Sequence, residues 1–333
     1  MKRHTAATLM DKPRTKILLL LFSVSVTSLM NVAAARERVA PGDWLDRMAT
    51  VVNSIDYEGT VMRRKDGRAE ALKVMHRVVD GVVHEKVVTQ EGSGLEIIRN
   101  GNEVHCILPD KKSVLIEKWN DRSTLFSTLP KSELRLGNDY DLSVVREERI
   151  AGRPAVLLAI RPHDVYRFGH RLWLDIDTAF PLRTELVGVD GAILEQLKFA
   201  DIKFNSVIPD AALEPSLSLE EFTWYSEPAR SAAVDVESAW HCSDLPDGFE
   251  MVSSRVEEMP GVAEPVTHIV YSDGLATVSV FIASQHDKDL AENHRVGAAN
   301  AYSTLLDEHQ VTAVGEVPAI TVQRIARSMM QQP

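Results

Sequence analysis

The chain reads as an α+β protein that is mostly β: a curved antiparallel sheet or half-barrel over a helix, followed by a smaller C-terminal α+β domain. Three observations predict this. Runs with a period of two follow one another from Tyr57 to Phe204, each closed by turn residues. A single amphipathic helix precedes them. Within the run, His163–Arg183 is a two-faced hairpin, with Tyr166, Phe168, His170, Leu172, Leu174 and Ile176 on one side. Its other side carries Arg167, Gly169, Arg171, Trp173, Asp175 and Asp177, the pattern of a sheet with one covered face.

The helix is expected from Asp43 to about Ile55, with Asp43 as N-cap after Pro41-Gly42 and Trp44, Leu45, Met48, Val51, Val52 and Ile55 at helical spacing. Strands are expected at Tyr57–Arg64, Ala69–Val79, Val82–Thr89, Leu95–Arg99, Glu103–Leu108 and Ser113–Lys118. Further strands follow at Leu142–Ile150, Pro154–Arg161, Tyr166–Ile176, Leu182–Val189 and Ile193–Phe204, with a less regular part around Trp119–Asp139. Asn100-Gly101 is the strongest turn signal, since a type I′ turn needs positive φ at both central residues. A sheet of about eleven strands must curl, close or be covered, and curling over the helix leaves an apolar concavity.

Residues 206–236, rich in Pro, Ser and Glu, read as a linker in which Phe222, Trp224 and Tyr225 pack on a domain or form a short strand. The second domain, 237–333, shows a hairpin over Val266–Tyr271 and Leu275–Ala283, a strand at Val311–Gly315, and a helix opened by Pro318 that carries Ile320 to Met330. The first domain is then 36–205. Residues 1–35 read as a cleavable secretory signal peptide: five basic residues, the apolar run Ile17–Val26, and small residues at Ala33-Ala34-Ala35.

Cleavage after Ala35 removes five basic residues and one acid, taking the formal charge from −11 to −15. A surface that acidic excludes a nucleic-acid partner, which needs a basic stripe, and suits a soluble exported protein. The two cysteines, Cys106 and Cys242, fit separate thiols better than a staple, although a bridge between domains stays open.

No nucleophile elbow, zinc-protease, P-loop or dinucleotide motif occurs after the signal segment. The histidines lack the close pairing of a metal site, and no cofactor is implied. Asp175 and Asp177 could do acid–base work, but carboxylates this close usually find basic partners, here Arg183 on the returning strand. The chain therefore reads as a binding protein and not as an enzyme.

Several blocks have a recognisable order. They are Tyr57-Glu58-Gly59-Thr60, Glu96-Ile97-Ile98-Arg99, Gly152-Arg153-Pro154-Ala155, Leu245-Pro246-Asp247-Gly248-Phe249, Tyr271-Ser272-Asp273-Gly274-Leu275 and Val314-Gly315-Glu316-Val317-Pro318. Together they resemble the RseB/MucB family, periplasmic negative regulators of the envelope-stress sigma factor. The resemblance implies a first domain similar to lipoprotein carriers of the LolA type. It also implies binding to the periplasmic domain of a membrane anti-sigma factor (RseA/MucA type), which is thereby shielded from site-1 proteolysis. Lipopolysaccharide or related lipids would release that inhibition. On this footing Tyr166, Phe168, Leu172 and Trp44 are candidate lipid-cavity lining, and Arg167 or Arg171 could meet a lipid phosphate. Tyr271, Ser272, Asp273, Gly274 and Leu275 are candidate anti-sigma-factor contacts. A homo-oligomer is a further option, and the competing function is a periplasmic carrier of lipids or lipoproteins.

Overall fold

The computed structural model describes residues 39–118, 125–126, 129, 139–226, 234–235, 238–259, 264–284 and 293–331. The expected signal segment and most of Trp119–Asp139 lie outside them. From Val39 onward the chain forms one compact unit.

Helix α1 (Pro41–Val51) starts earlier than expected. Ala40, in an extended conformation, holds the N-cap position, Pro41 supplies the pre-set φ of the first turn, and Asp43 sits inside that turn at the positive end of the helix dipole. Its buried stripe is Trp44, Leu45 and Met48.

Strands β1 (Tyr57–Lys65), β2 (Arg68–Val79), β3 (Val82–Thr89), β4 (Glu96–Asn100), β5 (Glu103–Leu108) and β6 (Ser113–Lys118) form an antiparallel meander. A second meander contains β7 (Tyr140–Ile150), β8 (Arg153–Pro162), β9 (Gly169–Asp175), β10 (Pro181–Val187) and β11 (Ile193–Phe204). Pairing of β1 with β11 joins the two. A short β12 (Thr223–Ser226) adds in parallel beside β6, giving a twelve-stranded sheet with β12 and β7 at its edges. The sheet is curved and open, as its one-faced patterning leads one to expect.

Two local expectations are corrected. At Asn100-Gly101 only Gly101 takes positive φ, because Asn100 still pairs with Glu103; positive φ at two successive residues occurs instead at Asp66-Gly67, Asp80-Gly81 and Ala151-Gly152. The hairpin strand begins at Gly169, not Tyr166, since Tyr166–Phe168 belong to the preceding loop.

The inner face of the sheet packs on α1 through Tyr57, Val61, Val74, Leu158, Leu172, Leu174 and Phe199. The stretch after β11 lies on the opposite face. There Arg77 donates to the Ile208 carbonyl at 2.7 Å, Lys86 to the Glu214 carbonyl at 2.5 Å, and Met75 packs with Ile208 and Leu213.

The remaining strands are β13 (Val234–Asp235), β14 (Trp240–Cys242), β15 (Glu250–Glu257), β16 (Val266–Ser272), β17 (Thr277–Ala283), β18 (Asn293–Val296), β19 (Ala299–Leu306), β20 (His309–Gly315) and β21 (Met329–Gln331). Seven of them form a sheet in the order β13-β15-β16-β17-β20-β19-β18. Helix α2 (Ala319–Arg327) covers one face through Val322, Ile325 and Ala326. It ends two residues before Met329. The expected helical run to Met330 is therefore corrected: Met329 and Met330 pair with Cys242 and His241 in the β14–β21 ladder.

Candidate partner and ligand surfaces

The concavity of the first sheet is filled by its own side chains. Tyr57, Phe126, Phe180 and Phe199 stack edge to face around α1, with Tyr57 and Phe180 centroids 4.7 Å apart. Trp44 and Leu172 belong to this packed core. Phe168 is buried outside it, and half-buried Tyr166 carries the Arg324 guanidinium over its ring at 4.7 Å. The four residues expected to line one cavity thus sit in two places: Trp44 and Leu172 in the interior, Tyr166 and Phe168 in the loop that meets the second sheet. The open space lies elsewhere. A cleft of about 220 Å³ is lined by Leu125, Leu129, Leu186 and Leu197, with Arg63, Lys65, Glu195 and Glu316 among its polar members.

Arg167, fully buried, organises the seam between the two sheets. Its Nε donates to Asp273 Oδ2 at 2.5 Å, its Nη1 to Asp164, and its Nη2 to the Asp247 carbonyl. The guanidinium lies over Tyr140 and Phe249, with the nearer centroid at 4.9 Å. Tyr140 also donates to Asp273 Oδ2 at 2.7 Å; burial and then the Asp273 charge push its phenol far above the ordinary value. Asp139 stands 3.9 Å from the same guanidinium. A buried charge held this way has its desolvation offset only because every partner is in place. The resemblance leads one to expect Arg167 or Arg171 near the cavity mouth, meeting a lipid phosphate; for Arg167 the structure differs. That assignment is corrected, because all its donors are engaged inside the chain.

The hairpin Tyr271–Leu275 turns onto the same seam. Tyr271 is buried in the core of the second sheet and reaches Met329 Sδ at 3.7 Å. Asp273 Oδ1 accepts from the amides of Leu275 and Ala276 at 2.9 and 2.7 Å, while its other oxygen takes Arg167 and Tyr140. Ser272 Oγ accepts from the Gly274 amide at 3.0 Å, and Leu275 packs against the core of the first sheet. Of the five expected partner contacts, only Gly274 is exposed; the side chains of Asp273 and Tyr271 are occupied within the chain.

Two further contacts tie the seam. Thr321 Oγ1 donates to the Tyr166 carbonyl at 2.7 Å, and the Ala298 amide donates to Glu195 Oε1 at 3.3 Å, the carboxylate that also holds Lys65 at 2.7 Å. Burial and the nearby Glu195 charge raise the Glu316 carboxyl.

The carboxylate pair resolves as structure. Asp175 is buried and pairs with Arg153 Nε at 2.6 Å, not with Arg183, because β8 lies beside β9 at that level. Arg183 instead stacks on Trp173 at 4.2 Å and donates to Glu185. Burial alone would raise the Asp175 carboxyl, but the Arg153 bond, with donors from Thr178, holds it below the usual range. Cys106 and Cys242 are free thiols. Among the described residues no group of three or more His, Cys, Asp or Glu is placed to hold a metal.

Comparison with known proteins decides the family. The model of the MucB/RseB N-terminal domain matches residues 40–217, and that of the MucB/RseB C-terminal domain matches residues 234–330. The chain belongs to the MucB/RseB family. It is 32% identical over 322 residues to the sigma factor AlgU regulatory protein MucB of Pseudomonas aeruginosa, covering 95% of this chain and 97% of that protein. It is 26% identical to the sigma-E factor regulatory protein RseB of Escherichia coli K12, covering 92% of this chain and 96% of that one. The solved MucA/MucB complex of P. aeruginosa contains a chain that superimposes with a TM-score of 0.68 at 29% identity, covering 88% of this chain and 99% of that one. In this MucB/RseB-family chain, two of the blocks that carry the sequence resemblance, Leu245–Phe249 and Tyr271–Leu275, meet at Arg167. The role of Arg167 at this junction is not legible in the sequence. The period-two pattern assigns it a face but says nothing of a partner 106 residues away.

Proposed function

We propose that this chain is a soluble periplasmic regulator that binds the periplasmic domain of a membrane anti-sigma factor and shields it from site-1 proteolysis. The observation that carries the reading is the match, over both sheets, to a MucB chain solved in complex with MucA. Export rests on the signal-like segment 1–35. Release by an amphiphilic lipid belongs to the same proposal. The cleft beside Leu125, Leu129, Leu186 and Leu197, with Arg63 and Lys65 at its wall, offers apolar and cationic groups together. A ligand binding only the free form would lower partner occupancy through linkage. A carrier function is less well supported, since α1 and the aromatic cluster fill the concavity that a cargo chain would need.

The test is a pulldown of the mature protein with the periplasmic segment of the anti-sigma factor, together with a protection assay against the site-1 protease. Capture and slowed cleavage are expected, reversed by lipopolysaccharide fragments. No capture and no protection overturns the regulator; protection that lipid leaves untouched removes only the release step.

A further inference from the structure

On the face of the first sheet opposite α1, the strand register aligns two adjacent rows across six strands. One row runs through Met62, Lys198, Arg183, Trp173, Leu157 and Arg146, three of them cations. The other runs through Arg64, Gln196, Glu185 and Arg171, ending on Ala159 and Ser143. These rows hold five cations and one acid, in a chain with 48 acidic and 37 basic residues.

Two acids answer part of the patch: Glu148, beside these rows on β7, pairs with Arg146 and accepts from Trp173 Nε1 at 2.8 Å, and Glu185 holds Arg183 and Arg171, which leaves the cations in excess. Glu185, 1% exposed, lies beneath the cations and accepts from Arg183 Nε at 3.1 Å, Gln196 at 2.8 Å and Arg171 at 3.4 Å. It holds the guanidinium groups of Arg183 and Arg171, and that of Arg183 lies over the Trp173 ring at 4.2 Å. Arg64 and Lys198 are exposed and have no ion-pair partner among the described residues. At about 4.8 Å between strands, the rows span roughly 24 Å, the reach of an extended segment of about seven residues.

We propose that this face docks an acidic, extended peptide segment of the protein partner. The segment's attribution to the partner rests on the regulator reading above. An acidic chain repels an acidic segment everywhere except where cations are concentrated, so this patch sets where such a segment lands. Pre-oriented guanidinium groups match carboxylates in two-pronged geometry. Met62 is the only exposed apolar side chain in the two rows, too little to insert into a bilayer, and this favours a peptide over a lipid surface.

The mature protein and its R64E/K198E variant are compared by fluorescence anisotropy with a labelled oligoglutamate peptide and with the anti-sigma periplasmic segment, and by co-sedimentation with phosphatidylglycerol vesicles. K111E/K118E, with the same change in net charge at distant exposed sites, is the control. Both probes should bind R64E/K198E about tenfold or more weakly, bind R64Q/K198Q with an intermediate loss, and lose affinity with added salt, while the control stays near wild type. Unchanged thermal melting keeps the variants interpretable. Full affinity of R64E/K198E for the anti-sigma segment overturns the inference, as does an effect confined to phosphatidylglycerol vesicles. If wild type fails to bind the anti-sigma segment, the regulator reading falls, while the oligoglutamate measurement still decides whether this face receives acidic peptides.

Discussion

Arg167 and Asp273 are 106 residues apart in the chain and stand 2.5 Å apart, Nε to Oδ2, with both side chains essentially closed to solvent. One belongs to the loop before β9, the other to the turn between β16 and β17. Their pairing is one of the contacts across the seam between the two sheets, and removing either partner strands a buried charge. Arg167→Met leaves Asp164 and Asp273 without their cation and should cost about 3–5 kcal/mol. Asp273→Asn keeps the shape and part of the hydrogen bonding and should cost less. Urea denaturation of both variants checks the order; an Arg167→Met midpoint equal to wild type would show that the seam is held by something else.

Asp175 makes acid stability testable. Its folded carboxyl lies below the unfolded value of about 3.9, so its contribution is complete above that pH and is lost as pH falls through the depressed folded value. Asp175→Asn should therefore lower stability at neutral pH, by about 1–3 kcal/mol, and flatten the fall of stability with acid. Melting temperatures from pH 7 down to pH 3 distinguish this from a simple packing loss, which would shift the whole curve in parallel.

The limits of β3, β5, β6 and β11 are legible from alternation closed by turn residues, because one face of each strand is covered and the register leaves its mark on composition. Strand β18, exposed at all four positions, carries no such mark, and β19 buries only Tyr302 and alternates weakly. The site was harder to read. Tyr166 and Leu172 share parity in the sequence, yet the strand starts at Gly169, so the first lies in a loop and only the second in the core. Asp175 was correctly read as a structural partner for a basic residue. Its partner, Arg153, follows from which strand lies on the other side of β9, a fact of register and not of local pattern.

The thiols should behave as reduced and sluggish. Burial, with the Glu117 charge adding, pushes Cys106 up to about 11, and burial raises Cys242, whose Sγ lies 3.1 Å from Ser328 Oγ. Thiolate is the reacting form, so Cys106 should react with a disulfide reagent at neutral pH about a hundredfold more slowly than a small free thiol. Denatured protein should react at the ordinary rate. A reductant should leave the melting temperature unchanged, since no bridge exists to be broken; a drop on reduction would contradict the free thiols.

Gly248 separates backbone strain from crowding at Arg167. Its φ of +79° disfavours any side chain, and a Cβ there would collide with the Asp139 carboxylate and come within 2.9 Å of Arg167 Nη2. Gly67 has a similar φ of +71° but open space around the same atom. Gly67→Ala should then lose only the backbone term, about 1 kcal/mol, whereas Gly248→Ala should lose about 2–4 kcal/mol by displacing a buried ion pair as well. In an Arg167→Met background the excess should shrink, because the cluster it disturbs is already broken. Chemical denaturation of the four variants completes the cycle; an excess that persists in that background would place the cost of Gly248→Ala in its own turn and not in the Arg167 cluster.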